Sequence, residues 1–290
     1  MTQAIGMIGI GLMGHGIARN VVKRGFPLTV MDHPGNRPLD ELLAAGVQVR
    51  PTAAAVAAEA DVVILCVTGS PQVEAVLAGP AGVLETLQPG TIIVDCSTAM
   101  PSSTLRMAQA VAEKGGRFLD APMTRLAKHA HEGTLNLLVG GDPAVLAEVQ
   151  PLLDSFTENV THVGPIGAGH RMKLLHNYVS IGFMTLLAEA AAHAGHAGVD
   201  PAVLVDVLAK GGGAGVALQR LSPFMLTRDP SDVPFSISNA AKDLAYYRET
   251  ASEAGVRHTI ADAIGQTLES AVGSGHGQDY VPQLVALLGR

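Results

Sequence analysis

A glycine-rich segment near the start of the chain has the residue types and the spacing of a phosphate-binding loop. Gly9, Gly11 and Gly14 form a GxGxxG pattern that directly follows an apolar run and opens a helical pattern. In such a loop the first glycine permits the tight turn, the second lets the backbone approach a pyrophosphate, and the third lets helix and strand pack closely. Free N–H groups and the helix dipole favour the anion. The pattern therefore predicts that a dinucleotide is bound by Gly9, Gly11, Leu12, Met13 and Gly14.

The type of dinucleotide depends on the residues that follow the second apolar run. Asp32 ends this run, 21 residues after Gly11. A carboxylate there would accept hydrogen bonds from the adenine ribose hydroxyls and repel a 2′-phosphate, which favours NAD. Arg37 lies nearby and could hold a 2′-phosphate, so NADP stays open. The alternative without a cofactor is that the glycines serve only turns and that Asp32 caps a loop.

A second set of polar residues lies on a long, apolar helical pattern in the middle of the chain. Lys173, Asn177 and Ser180 are spaced i, i+4 and i+7, so they share one face of that helix. A lysine at the edge of an apolar helix can have its pKa lowered by desolvation. It could then pass a proton to or from a carbonyl or alcohol oxygen and stabilise a developing alkoxide. In the structural alternative Lys173 only extends its amine from a buried helix to water, and Asn177 has no special role.

The elements that must position these residues fall into two groups along the chain. Between helical patterns, apolar runs predict strands at residues 4–10, 28–31, 47–50, 62–67, 91–95, 117–120 and 136–139 and near 160. Runs such as VVILCV are typical of strands buried on both faces, and the strand–helix alternation predicts a parallel, doubly wound sheet. A Gly/Pro segment at 164–169 marks a boundary. We therefore predict an α/β Rossmann-type, dinucleotide-binding domain at residues 1–164 and an all-helical domain for substrate binding and oligomerisation at 165–290.

The composition limits the classes of function. The chain has 290 residues, 48% of them hydrophobic and 16% charged, which is too apolar for disorder. A formal net charge of -7 argues against non-specific binding of nucleic acid or of an anionic membrane. Two cysteines suit a reducing cytoplasm, and neither they nor the histidines form a metal-ligand pattern. We expect no metal, and any anion must be bound locally by a few cations.

Three further segments, taken together with the glycine loop, carry a resemblance to a known family. They are DAPMTR at 120–125, the stretch 164–177 that contains Lys173, and KDL at 242–244. In this order, and over essentially the whole chain, the set resembles the β-hydroxyacid dehydrogenases, which are 3-hydroxyisobutyrate dehydrogenase-like and 6-phosphogluconate dehydrogenase-like proteins. The resemblance implies a Rossmann-type domain followed by an all-α domain. It also implies an NAD(P)-dependent oxidoreductase that interconverts a small acidic β-hydroxy acid and its semialdehyde or keto form by hydride transfer.

The resemblance also assigns roles to positions of this sequence. It implies that Lys173 is the general acid/base and that Asn177 binds the substrate. It implies that Thr98 is the hydroxyl residue near the nicotinamide and that Val67 and Thr68 lie along the cofactor. It also implies that Phe235 makes an apolar contact with the cofactor and that Lys242 closes over it. These positions join Asp32 and the glycine loop as expected cofactor contacts.

The chain departs from its family directly after Asp-Ala-Pro. The common pattern there is an apolar residue followed by Ser-Gly-Gly, whereas this sequence places Thr124 and Arg125 in the Ser-Gly positions. Thr124 can replace the serine hydroxyl, but Arg125 adds a forked cation that suits a carboxylate or a sulfonate. Arg125 and the segment 173–180 are similar to 3-sulfolactaldehyde reductase, a member of the family, although Thr124 and His176 differ from it. A β-hydroxy carboxylate is the broader expectation for the substrate. The alternative role of Arg125 is an interdomain salt bridge. The residues expected to bind the substrate are Thr124, Arg125, Asn177, Ser180 and His176.

Two other classes of function stay open. Imine reductases share this architecture but lack the lysine, and a non-catalytic reader or sensor would bind a dinucleotide and a partner protein. Lys173 counts against imine reduction, and Lys173 together with Asn177 counts against the reader or sensor. A helix of about 20 residues with few charges needs covering on every side, so we expect a homodimer or homotetramer. The expected partners are a small anionic substrate and further copies of the chain, with no nucleic acid and no membrane.

Overall fold

Residues 3–289 are described by a computed structural model, and a nine-stranded sheet occupies the first part of this range. Its strands are β1 (Ile5–Ile8), β2 (Leu28–Met31), β3 (Gln48–Arg50), β4 (Val62–Leu65), β5 (Ile92–Asp95), β6 (Arg117–Asp120), β7 (Met123–Thr124), β8 (Leu135–Gly140) and β9 (Thr157–Gly164). The order across the sheet is β3-β2-β1-β4-β5-β6-β8-β7, and β9 pairs with β8. The first six strands are parallel and follow the order of a Rossmann domain. The predicted doubly wound α/β architecture is confirmed.

Helices alternate with the strands and then form the rest of the described chain. Within the sheet region lie α1 (Gly14–Lys23), α2 (Asp40–Ala44), α3 (Ala53–Ala57), α4 (Ser70–Ala78), α5 (Pro101–Glu113), α6 (Ala127–Glu132) and α7 (Pro143–Leu153). After the sheet come α8 (Ala168–His196), α9 (Pro201–Ala209), α10 (Val216–Thr227), α11 (Ile237–Glu253), α12 (Thr259–Ala271) and α13 (Leu284–Leu287). No helix within residues 3–289 is long and apolar enough to cross a membrane.

The central strands are buried on both faces, as their unbroken Val and Ile content predicts. Every residue of β1, β4 and β5 is buried. On one face Met7 of β1 belongs to the same core cluster as Ile17 of α1. On the other face Ile8 belongs to a second cluster that contains Val111 of α5. Because successive side chains of a strand point to opposite faces, Met7 and Ile8 bind the sheet to helices on its two sides.

The structure differs from the predicted sheet at one edge. β6 and β7 pair with β8 in the antiparallel direction, so the sheet is mixed rather than wholly parallel. β7 has only two residues and shows no periodic pattern. β9 is longer than the short strand predicted near Val160. None of its eight residues is buried, so they form no apolar run that would show its length. The pattern also misses α3, whose five residues are too few to show a helical period.

The chain divides into two compact units, with the division between Lys173 and Leu174 inside α8. The first unit contains the sheet and α1 to α7. The second contains most of α8 together with α9 to α13, and its described part holds no strand of the sheet. The predicted domain limits, 1–164 and 165–290, place the division before α8 and stay a prediction.

Candidate active site

The three glycines of the loop between β1 and α1 are required for different reasons. Gly9 has φ +99°, and a Cβ there would lie 2.2 Å from the carbonyl oxygen of Cys66. A Cβ on Gly14 would lie 1.9 Å from the carbonyl oxygen of Gly9. A Cβ on Gly11, in contrast, would meet nothing within 4 Å. The fold itself needs Gly9 and Gly14, whereas the bare backbone at Gly11 leaves space that suits close approach of a ligand.

The other predicted cofactor contacts of the first unit follow neighbouring strands. Residues 9–14 follow β1, Asp32 follows β2, residues 67–68 come just after β4, and Thr98 comes just after β5. The strand order reverses between β1 and β4, and open α/β sheets bind their ligands in the crevice at this point. The structure thus brings these residues to one edge of the sheet. Their contacts with the cofactor stay a prediction.

A buried carboxylate fixes the start of the helix that carries Lys173. Asp120 is the last residue of β6 and is fully buried. Its Oδ1 accepts a hydrogen bond from Gly167 N at 2.7 Å, and its Oδ2 accepts one from His170 N at 2.8 Å. The carboxylate therefore satisfies N–H groups at the N-terminus of α8, where the helix dipole favours negative charge. Burial raises the pKa of Asp120, although the charge of His170 and these two amides oppose the shift.

A second buried carboxylate lies beside the first. Asp95 ends β5 and is the register neighbour of Asp120 in the sheet. Its Oδ1 accepts a hydrogen bond from Ser97 N at 3.0 Å. Burial raises the pKa of Asp95 to about 6, against the opposing effect of Ser97. The buried ring of His170 completes the group, since Nε2 lies 3.9 Å from Asp95 Oδ2 and Nδ1 lies 3.9 Å from Asp120 Oδ2.

Lys173 and Asn177 occupy successive turns of α8, as their spacing predicts. Lys173 is half-buried. In the second unit Asn177 is buried, and its Nδ2 donates a hydrogen bond to Asp243 Oδ2 at 2.6 Å. Lys242 Nζ lies 3.1 Å from Asp243 Oδ1 and 5.3 Å from the ring centroid of Tyr246. The Asp243 carboxylate therefore holds together two side chains that the sequence assigns to the site, an amide and a cation.

The remaining predicted site residues are distributed over both units. His176 is exposed, and its Nδ1 lies 3.0 Å from Asn177 Oδ1. Ser180 is half-buried on α8, and Phe235 is half-buried just before α11. Thr124 is buried at the end of β7. Their contacts with substrate or cofactor stay predictions.

Arg125 has its ionic partner within the first unit. Its φ is +78°, in the left-handed region that is uncommon for residues other than glycine. Its Nη1 donates a hydrogen bond to the carbonyl oxygen of Thr134 at 2.6 Å and pairs with the Glu158 carboxylate on β9. This pairing lowers the pKa of Glu158. The salt bridge thus lies inside one unit rather than between domains, and a substrate anion would have to share or displace Glu158.

Known proteins match the chain along nearly its whole length. Residues 4–164 match the family described as the NAD binding domain of 6-phosphogluconate dehydrogenase. Residues 167–288 match the family described as the NAD-binding of NADP-dependent 3-hydroxyisobutyrate dehydrogenase. The chain belongs to the β-hydroxyacid dehydrogenase family. As a β-hydroxyacid dehydrogenase it is an NAD(P)-dependent oxidoreductase, as the resemblance of its motifs predicts.

Individual relatives support this membership. The chain is 33% identical to 2-(hydroxymethyl)glutarate dehydrogenase of Eubacterium barkeri, over 97% of this chain and 93% of that protein. It is 35% identical to 2-hydroxy-3-oxopropionate reductase of Escherichia coli, over 83% of this chain and 81% of that protein. Among solved structures, 3-hydroxyisobutyrate dehydrogenase of Mycobacterium tuberculosis with L-serine has a TM-score of 0.88 and 26% identity, with 100% of each chain covered.

The residues at the strand ends fit the dinucleotide that a β-hydroxyacid dehydrogenase uses. Space is open beside Gly11, where a Cβ would have no neighbour within 4 Å. No side chain caps the N-terminus of α1, so its N–H groups suit a phosphate. The exposed carboxylate of Asp32 suits ribose hydroxyls. These donor and acceptor groups are those expected for a pyrophosphate and an unphosphorylated ribose.

Two features of this dehydrogenase do not follow from the sequence patterns. One is the buried group of Asp95, Asp120 and His170, whose only sequence signal is an aspartate at the end of each of two successive buried strands. The other is Arg220 on α10, a half-buried cation whose pKa is lowered by desolvation. No hydrogen bond or ion pair joins Arg220 to another side chain within residues 3–289. From the sequence, Arg220 is only an arginine within a helical pattern, which does not indicate whether its side chain has a partner.

Proposed function

We propose that this β-hydroxyacid dehydrogenase interconverts a small acidic β-hydroxy acid and its semialdehyde or keto form, with Lys173 as the general acid/base. The observation that best supports this role is the fixed start of α8. Because the Asp120 carboxylate holds the amides of Gly167 and His170, the helix presents Lys173 one turn further at a defined position. Bound NAD would supply or accept the hydride.

The protein's own task is to bind the substrate and to move one proton at its oxygen. In oxidation the neutral amine of Lys173 takes the hydroxyl proton, and in reduction the ammonium gives a proton to the carbonyl oxygen. The ammonium also stabilises negative charge that develops on that oxygen. Asn177, whose amide is oriented by Asp243, binds the substrate with the help of Ser180, His176 and Thr124.

The substrate's anion is a carboxylate in this proposal, with the sulfonate of a 3-sulfolactaldehyde reductase as the alternative. A panel of 3-hydroxyisobutyrate, glycerate and 2,3-dihydroxypropane-1-sulfonate, each with NAD and with NADP, tests the choice. We expect the highest kcat/KM with a carboxylate and with NAD, since Asp32 disfavours a 2′-phosphate. A clear preference for the sulfonate would establish the alternative. Cofactor binding without turnover of any panel member would favour a non-catalytic reader.

The role of Arg125 can be separated from its ion pair. Arg125→Gly removes the cation. It also removes the backbone strain at φ +78°, which glycine adopts readily, so the protein stays folded. If the guanidinium binds the substrate's anion, KM rises about tenfold or more, because a hydrogen bond to a charged group is lost. Glu158→Gln leaves the guanidinium without its competitor and lowers KM. Arg117→Ala, which removes a comparable exposed pair with Glu148, is the control. An unchanged KM in both test variants would show that Arg125 is structural.

We further propose that the second unit forms a homodimer or homotetramer through an apolar groove. The groove, of about 390 Å³, lies between α8 and α12. Val179, Leu186 and Ile260 line it and are 66%, 64% and 69% exposed. Leu186→Glu is expected to give monomers in light scattering coupled to size exclusion. Leu43→Glu, at an exposed leucine of the first unit, should leave the assembly intact. A monomeric parent protein would contradict the proposal.

A cytoplasmic location is also proposed. Cys66 and Cys96 are both free thiols. Burial raises the pKa of the Cys66 thiol to about 12, so it stays protonated and unreactive. Cys96 is a core residue and Cys66 is half-buried against that core, so both suit small packing positions in a reducing compartment.

A further inference from the structure

A cluster of buried polar groups surrounds the start of α8. Asp95 and Asp120 are register neighbours at the ends of β5 and β6, and both are fully buried. Two buried carboxylates side by side repel each other, and both stay ionised only with a cation or several donors nearby. His170 is fully buried as well and lies 3.9 Å from an oxygen of each carboxylate.

The hydrogen-bond partners of the His170 ring indicate which of its nitrogens carry protons. Nε2 lies 3.2 Å from the carbonyl oxygen of Ser97, which can only accept, so Nε2 is a donor. Nδ1 lies 2.7 Å from Thr104 Oγ1. The Thr104 hydroxyl also lies 3.0 Å from the carbonyl oxygen of Met100, which can only accept a hydrogen bond. When the Thr104 proton goes to Met100, Nδ1 donates to Oγ1, and a ring that donates from both nitrogens is an imidazolium; when the proton goes to Nδ1, the ring is neutral. The facing charges decide between the two states.

The charges around the ring favour the imidazolium. Asp95 faces it from β5 and Asp120 from β6, while α5 contributes the neutral hydroxyl of Thr104. Asp95 Oδ2 receives no hydrogen bond from the described residues, so the ring is its natural counter-ion. The dipole at the N-terminus of α8 opposes a cation, but it acts as a partial charge against two full charges at short range.

We propose that His170 is held as an imidazolium between Asp95 and Asp120 and is a positioning residue, which fixes the first turn of α8 and with it Lys173. The backbone N–H of His170 binds Asp120 of β6, and its ring contacts Thr104 of α5 and Ser97 in the loop after β5. One residue therefore joins α8 to three segments of the sheet region. The charge of the ring is independent of the reaction. The effect on Lys173 rests on the proposed function.

The charge is tested by ¹⁵N NMR of the histidine rings in the full-length protein. The His170 signal is assigned by its loss in His170→Gln, or by its shift in Thr104→Val if the first variant does not fold. We expect both ring nitrogens to have the shifts of a protonated imidazole from pH 6 to pH 8.5. In Asp95→Asn, which removes one of the two facing carboxylates, the ring should titrate within this range. One protonated and one unprotonated nitrogen in the parent protein at pH 7 would overturn the proposal.

The positioning role is tested by hydrogen exchange and by kinetics. His170→Gln should increase amide exchange in the first turn of α8, and kcat should fall on the order of 10- to 100-fold at unchanged dinucleotide affinity, as expected when a catalytic group is displaced. His193→Gln, at an exposed histidine of the same helix, is the control for both measurements. Normal exchange and normal kcat in His170→Gln would contradict the role. If no substrate is turned over by the parent protein, the proposed function fails, while the NMR and exchange results still decide the inference.

Discussion

Replacement of Lys173 by alanine is expected to lower kcat by about 10²- to 10⁴-fold, the usual contribution of general acid–base catalysis. If Lys173 is the general acid/base, as proposed, its loss leaves no group to move the proton at the substrate oxygen while the hydride is transferred. Dinucleotide affinity should not change, since the expected cofactor contacts of the first unit follow β1, β2, β4 and β5 rather than α8. Steady-state kinetics and titration of NADH fluorescence measure the two quantities separately.

Two matched variants make the Lys173 result specific. Lys173→Arg keeps a positive charge but cannot lose its proton at neutral pH, so it should be nearly as slow as the alanine variant. Lys114→Ala, at an exposed lysine at the end of α5, should have the activity of the parent protein. Turnover close to normal in Lys173→Ala would refute the assignment of the general acid/base.

Replacement of Gly11 by alanine is the second change with a large expected effect. Apart from its chain neighbours, the new Cβ would meet no atom within 4 Å, so folding and thermal stability should be unaffected. It would, however, fill the space into which a pyrophosphate must come, and the dinucleotide Kd should rise tenfold or more, about 1.4 kcal/mol of binding free energy or above. Isothermal titration with NAD and a thermal unfolding scan test both parts.

Other glycines supply the controls for Gly11. Gly14→Ala would place a Cβ 1.9 Å from the carbonyl oxygen of Gly9, so this variant should be destabilised whether or not a cofactor is present. Gly195 lies on α8, and a Cβ there would meet nothing within 4 Å. Gly195→Ala should therefore weaken neither NAD binding nor folding. If Gly11→Ala bound NAD as tightly as the parent protein, the loop would not be the pyrophosphate site.

The sequence predicts those parts of the fold in which local pattern and burial coincide. β1, the glycine loop and α1 follow each other directly, so one short stretch of sequence shows both the hydrophobic pattern and the glycine spacing. The face shared by Lys173, Asn177 and Ser180 follows from helical spacing alone. For the same reason the all-helical second unit and the doubly wound sheet could both be predicted.

The parts that could not be predicted depend on contacts between distant segments. His170 meets Asp120, 50 residues earlier, and Ser97, 73 residues earlier, and no local pattern indicates these pairs. The Arg125–Glu158 pair likewise joins residues 33 positions apart. Glu158 lies on β9, which has no buried residue and therefore shows no alternating apolar pattern. Sequence identifies Arg125 as unusual for its family, whereas only the structure shows which carboxylate it already binds.

We propose that this chain transfers a hydride between a β-hydroxy acid and a nicotinamide, rather than only binding a dinucleotide. It is tested most directly with a substrate that carries deuterium on its carbinol carbon, incubated with NAD and the parent protein. We expect deuterium to appear at C4 of the nicotinamide, in equal amount to the aldehyde or ketone formed. NAD that is bound but gains no deuterium from any member of the substrate panel would contradict it.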